Sequence, residues 1–132
     1  MALTEEQMIE AVRRTNDALN RAAFDAAIEL AAPDIVYVRP GRLPQLRGPE
    51  AIRAWMEPDA FESQKNELLE WEVAGHRVLT RQITRARGAG SGIEVEIESL
   101  VVWDFNEDGE LARVATYMLD EQDEARRALH AP

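Results

Sequence analysis

Residues 77–118 read RVLTRQITRARGAGSGIEVEIESLVVWDFNEDGELARVATYM. Two turn-forming clusters, Gly-Ala-Gly-Ser-Gly at 88–92 and Asn-Glu-Asp-Gly at 106–109, divide the stretch into three runs of alternating chemistry. Successive residues of a strand point to opposite faces, and glycine-rich or Asn-Asp-Gly clusters between such runs mark hairpins. The stretch therefore predicts an antiparallel meander with strands over 77–87, 93–105 and 110–119. One face would carry Arg77, Arg81, Arg85, Arg87, Glu94, Glu96, Glu98 and Asp104. The other would carry Val78, Thr80, Gln82, Thr84, Val95, Ile97, Ser99, Val101, Trp103, Val114, Thr116 and Met118. The ionisable groups thus fall on the face expected to meet solvent, and the uncharged hydroxyls and amides on the face expected to meet the core.

Pairing must keep like faces together. A four-residue turn at 106–109 would oppose Phe105 with Glu110, and with it Ser99 with Thr116, Val101 with Val114 and Ile97 with Met118. In the earlier hairpin, a face-consistent register opposes Arg85 with Glu94, Arg81 with Glu98, Thr80 with Ser99 and Gln82 with Ile97. The inner face would then hold a lateral row of hydroxyls, Thr80–Ser99–Thr116, flanked by Gln82 and Thr84. A slip of two residues would keep the faces and move the row.

Upstream, Thr4 followed by Gln7 is a capping-box pattern, and Met8, Val12, Thr15 and Leu19 recur at helical spacing, giving a helix over about 4–19. Asn20 would break it and cap a second helix whose stripe is Phe24, Ala27, Ile28 and Ala31, ended by Pro33. Residues 34–39 read as a strand, 40–48 as a loop, and 49–57 as a helix opened by Pro49 and closed by Pro58. Alternation over 67–73 puts Leu69, Trp71 and Val73 on one face, and Gly75-His76 makes a tight connection into the meander. Asp120 can cap a terminal helix ending near Leu129. Helices followed by a run of antiparallel strands specify an α+β domain.

The chain has 132 residues, a single domain spanning 1–132 that can bury about two-thirds of its unfolded surface. There is no cysteine, hence neither disulfides nor a thiolate metal site. A net charge of −10 with interleaved acids leaves no basic patch for nucleic acid. No apolar run approaches the roughly 20 residues of a membrane-spanning helix. The first residues lack the basic and apolar regions of a signal peptide, which points to a cytoplasmic protein. The excess of arginine over lysine suggests a GC-rich bacterial genome.

Phe24-Asp-Ala-Ala-Ile ahead of Ala32-Pro-Asp-Ile-Val-Tyr-Val38, then Leu46-Arg-Gly-Pro-Glu-Ala-Ile52, resemble the second helix, first strand and third-helix entry of the nuclear transport factor 2-like (NTF2-like) superfamily. Gly90-Ser-Gly-Ile-Glu-Val-Glu96, the run Val101–Val114, Tyr117 and Asp120 resemble its SnoaL-like branch. That branch sits among polyketide cyclases, ketosteroid isomerase, limonene epoxide hydrolase and scytalone dehydratase. The resemblance covers nearly the whole chain. It implies a cone-shaped α+β barrel, also called cystatin-like, whose curved antiparallel sheet carries N-terminal helices on its concave face around a pocket. Many functions share this fold, so the reaction does not follow from it. The epoxide hydrolases' Asp–Arg–Asp group corresponds here to Gln82, Thr84 and Thr116, none ionisable. The cyclase-type acid also corresponds to Thr116. An isomerase-type base would fall at residues 36–39, which hold no carboxylate.

The pocket expected from these readings comprises Tyr37, Trp55, Trp71, Thr80, Gln82, Thr84, Ser99, Trp103, Thr116 and Met118. The hydroxyls could orient a ligand or bond one another in the core; without an adjacent base they are poor nucleophiles. The three tryptophans could line the pocket or fill the core, and Tyr37 could donate a phenolic proton. Glu94, Glu96 and Glu98 read as a solvated face balanced by Arg81 and Arg85 rather than a metal site. His76 reads as a turn residue, and Arg39, Arg42 and Arg47 as loop charges near the cone mouth. No residue is assigned as catalytic, and no metal or cofactor is expected. Leu79, Ile83, Leu100, Val102 and Tyr117, interspersed among the outer-face charges, form a mixed patch expected to make an isologous homodimer. The functional expectation is a pocket for a small hydrophobic molecule. If it catalyses, the class would be cofactor-independent isomerisation, cyclisation, dehydration or epoxide opening. The alternative is a non-catalytic binding or dimerisation module.

Overall fold

The structure, a computed structural model, describes residues 2–41, 43–56 and 61–132, with the backbone alone for 61–63. Helix α1 (Glu5–Asn20) is followed by a single turn of helix α2 (Phe24–Ala27), strand β1 (Ala31–Val38) and a two-residue strand β2 (Leu46–Arg47). Helix α3 (Pro49–Met56) precedes β3 (Phe61–Ala74), β4 (Arg77–Gly88), β5 (Glu94–Phe105) and β6 (Leu111–Met118). A 3-10 turn and helix α4 (Gln122–Leu129) end the chain. The six strands form one curved, unclosed sheet in the order β2-β1-β6-β5-β4-β3. All neighbours are antiparallel except β1 and β6, which run parallel.

Thr4 caps α1 as its pattern requires: Gln7 N donates to Thr4 Oγ1 at 3.2 Å, and Thr4 N to Gln7 Oε1 at 2.9 Å. The apolar stripe Met8, Ala11 and Val12 is buried against Val78, Val101, Trp103, Phe105 and Val114 of the concave face. Fully burying aliphatic side chains of this kind is worth about 1.5–3 kcal/mol each, which fixes the helix across the sheet.

Several expectations are corrected. The second helix is one turn long; Ala31 and Pro33 belong to β1, where Pro33 is exposed and sits in the irregular stretch between Ala31 and Val36. A proline without an N–H fits where the ladder is already interrupted. Asn20 does not cap α2; its side chain grips the backbone of Asn66, donating to its O at 2.9 Å and accepting from its N at 2.7 Å. The segment read as a loop includes β2, which pairs with β1 through Val36 and Tyr37. The expected stop at Pro58 lies outside the described residues. In β3 a bulge at Leu69 shifts parity, so Leu68, Trp71 and Val73 pack on the core while Leu69 is exposed. Asp120 provides no cap: α4 starts without a side-chain cap bond, and Glu121 instead accepts from Met118 N.

The faces of the meander are as the alternation predicts, but both registers differ by two residues. In the β4–β5 hairpin Gly88 N donates to Ile93 O at 2.8 Å, because Gly90 and Gly92 at positive φ close the loop in four residues. Gln82 therefore opposes Ser99, and Thr80 opposes Val101. Between β5 and β6, Asn106 Oδ1 accepts from Asp108 N and Glu110 N, holding Glu110 in the loop, and a bulge adds a second residue. Val101 thus opposes Thr116, and Ser99 opposes Met118. The lateral Thr80–Ser99–Thr116 row does not form. Two mixed rows replace it, Thr80–Val101–Thr116 and Gln82–Ser99–Met118.

The outer face is also only partly as expected. Arg81 bonds Glu98, Arg85 bonds Glu96 and Glu67, and Arg77 bonds Asp104. But Leu79, Leu100 and Val102, read as a dimer patch with Ile83 and Tyr117, are 2–3 % exposed under Ala125 and Leu129 of α4. Those three are covered within the chain itself, and Ile83 and Tyr117 stay half-buried.

Candidate functional site

The concave face carries a cavity of about 820 Å³, within the range of small-molecule sites. Its walls come from the C-terminal half of α1, from α2 and α3, and from the inner residues of β1, β4, β5 and β6. Apolar side chains dominate, among them Ile35, Ile52, Val101, Trp103, Val114 and Met118. Alternation is the cause: every second residue of β5 and β6 enters the cavity, and the charged residues between them face outward.

Eight of the ten residues singled out in the sequence line this cavity: Tyr37, Trp55, Gln82, Thr84, Ser99, Trp103, Thr116 and Met118. Two do not. Thr80 is wholly buried beneath the wall, where its Oγ1 accepts from Trp103 Nε1 at 3.0 Å. Trp71 opposes Thr80 on β3 and packs on the core, with the Arg13 guanidinium 5.2 Å from its ring centroid. Both sit on the inner-face row next to that of Gln82, toward the β3–β4 turn.

One rim is built by asparagines that pattern reading missed. Asn16 and Asn20 both donate to Asn66 O, and Thr84 Oγ1 donates to Asn66 Oδ1 at 2.7 Å. Lys65 Nζ donates to Asn20 O. This clamp ties the end of α1 to β3 and leaves the lining Thr84 hydroxyl and Asn66 amide oxygen already occupied. Asn16 and Asn20, one helical turn apart, share a face of α1, but nothing local points to Asn66 as their partner. At another rim the Tyr37 and Trp55 rings lie 5.0 Å apart, and Arg39 reaches over Trp55 while donating to Pro44 O. Arg47 is exposed on β2, and Arg42 lies outside the described residues.

Tyr37 OH and Thr116 Oγ1 are 3.4 Å apart. Burial raises the Tyr37 pKa above its usual value, opposed by the Thr116 bond and the Arg39 charge. The phenol is therefore a protonated donor at neutral pH. Among the described lining residues the other ionisable groups are Arg21 and Lys65, both exposed; none is a carboxylate or an imidazole. Glu94, Glu96 and Glu98 face outward toward Arg87, Arg85 and Arg81. His76 lies beside Asp104 at 3.1 Å, away from the cavity lining. Among the described residues no group of three His, Cys, Asp or Glu side chains could hold a metal ion, and no helix is long and apolar enough to cross a membrane.

Three buried polar side chains on the lining, Thr15, Gln82 and Ser99, form no side-chain hydrogen bond among the described residues. None of their polar atoms is sealed from solvent, so the cavity supplies their exposure.

This architecture recurs in solved structures of low sequence identity, a likeness that shows the fold alone. The epoxide hydrolase/cyclase-like enzyme SalBIII, whose structure concerns pyran ring formation in the polyether salinomycin, matches at a TM-score of 0.78 and 16 % identity, covering 87 % of this chain and 93 % of that one. A Mycobacterium tuberculosis protein in complex with estradiol-17β-hemisuccinate matches at 0.76 and 17 % identity, covering 86 % and 95 %. A putative polyketide cyclase from Xanthomonas campestris pv. campestris matches at 0.72 and 18 % identity, covering 89 % and 93 %. No curated protein matches the chain by sequence. The model of the SnoaL-like domain family matches residues 12–114, from Val12 in the core stripe of α1 to Val114 on the inner face of β6. With that match over most of its length, the chain belongs to the SnoaL-like domain family.

Proposed function

We propose that this protein binds a small, predominantly apolar organic molecule in the concave cavity and orients it by hydrogen bonds from uncharged groups. The observation that carries the reading is the cavity itself: about 820 Å³, walled by Trp103, Trp55 and aliphatic side chains, with a few polar groups converging on it. Burying the apolar surface of a ligand there would contribute roughly 25 cal/mol per Å² before the costs of association. Crystallised relatives that hold estradiol-17β-hemisuccinate and polyporic acid support the same class of occupant. Calorimetric titration with 2-naphthol tests it. The wild type should bind, and Val101→Phe, which adds a ring to the cavity wall, should weaken binding at least tenfold in a variant that still melts cooperatively. Equal binding by the two proteins would place the probe elsewhere.

A second reading, catalysis of the isomerising or cyclising kind, is favoured by one observation, the Tyr37–Thr116 hydroxyl pair on the wall. A phenol held protonated can stabilise a developing oxyanion but cannot serve as a base near neutral pH. Tyr37→Phe should then abolish most turnover of a carbonyl substrate while leaving its binding within about threefold. The same variant reports on stability. The raised pKa means the folded state holds its proton more tightly than the unfolded state, so stability is intact below pH 10.0 and falls as pH rises above it. Tyr37→Phe should flatten that alkaline decline; an unchanged profile would remove Tyr37 as its source.

A further inference from the structure

Gln82 and Ser99 stand opposite one another on β4 and β5, on the inner face. Gln82 is 9 % exposed and Ser99 4 %. Both line the cavity and neither side chain has a hydrogen-bond partner among the described residues. Their polar neighbours differ: Thr80 is taken by Trp103, Thr84 by Asn66, and Thr116 by Tyr37. Their polar atoms open on the cavity instead of pairing within the wall, so a ligand group entering there meets an available carboxamide beside an available hydroxyl.

Resting on the binding reading above, we infer that Gln82 and Ser99 together anchor a single uncharged ligand group that carries a hydrogen-bond donor beside an acceptor, as in a primary amide, a hydroxyketone or an enolised dicarbonyl. Directly opposed residues have Cβ atoms about 4.5–5.5 Å apart, so both heads reach one functional group. The carboxamide offers one N–H face and one carbonyl face, and the serine hydroxyl takes whichever role remains. The group is uncharged because, among the described residues, no cation faces the pair. Arg21 and Lys65 lie on the exposed rim, where Arg21 Nε donates to Asp17 O and Lys65 Nζ to Asn20 O, both carbonyls of the last turn of α1. Arg81 and Arg85 point to the outer face. A carboxylate at Gln82 would be buried without compensation.

The test compares three probes sharing one ring system: 2-naphthamide, 2-naphthoate and 2-methylnaphthalene. Affinities are measured by titration calorimetry on the wild type, Gln82→Met and Ser99→Ala. The wild type should prefer the amide over the carboxylate by at least tenfold. Each substitution should weaken the amide about tenfold, the loss of one neutral hydrogen bond, and leave 2-methylnaphthalene unchanged or tighter. The melting temperature of the unliganded variants should be no lower than that of the wild type, since neither substitution removes a bond the protein makes. A preference for 2-naphthoate, an equal loss for all probes, or a lowered melting temperature would overturn the anchor and leave the cavity as a binding site. Failure of all three probes to bind the wild type would remove the binding reading, and the anchor with it.

Discussion

Leu129→Asp is expected to lower the stability of this protein by about 3–5 kcal/mol and its melting temperature by roughly 10–20 °C. Leu129 is 1 % exposed and Ala125 is fully buried, and together they close over Leu79, Leu100 and Val102. Losing the leucine forfeits its packing; placing a carboxylate there adds a buried charge with no apolar alternative, so α4 should leave the sheet. The ion pair from Arg126 to Glu72, 3.1 Å and solvent-exposed, is worth too little to hold the helix alone. With α4 undocked the outer face regains the apolar patch that its sequence advertises. Sedimentation velocity should then show concentration-dependent association stronger than that of the wild type. A cooperative melt within about 2 °C of the wild type would mean that α4 adds little to the fold.

Trp103→Ala should cost about 3–5 kcal/mol, through two separable terms. The first is the lost packing of a ring 5 % exposed in the main core. The second is the hydroxyl of Thr80, fully buried and bonded by the indole N–H at 3.0 Å, which the alanine would leave without a partner. Trp103→Phe retains most of the first term and isolates the second, at about 1–3 kcal/mol. Adding Thr80→Val to Trp103→Phe should recover much of that loss, measured by urea denaturation, because the orphaned group is removed. If the double variant is no more stable than Trp103→Phe, the Thr80–Trp103 bond carries no weight.

The alternation of residues 77–118 was enough to assign inner and outer faces, because the side-chain period is fixed by backbone geometry. It could not assign register. A slip of two preserves every face, and the deciding facts were local: a four-residue glycine loop, an Asn106-held turn and one bulge. That slip moved Thr80 under the wall and put Gln82 against Ser99. The β3 bulge at Leu69 had the same character, reversing parity where alternation alone predicted Leu69 inward. The outer face was less legible for a different reason. Three of its apolar residues, Leu79, Leu100 and Val102, lie under α4, and strand composition does not say which element supplies a cover. The asparagine clamp at the rim joins residues about 46 positions apart, a separation no local pattern reports.

The central claim, that the concave cavity is where a ligand sits, is tested most directly by the indole N–H signals of the three tryptophans in a nitrogen-15-labelled sample titrated with 2-naphthol. Trp103 and Trp55 line the cavity, and Trp71 packs on the core outside that lining. Saturable shifts of the Trp103 and Trp55 signals with a still Trp71 signal are predicted. Shifts confined to Trp71, or none while the probe demonstrably binds, would contradict the assignment.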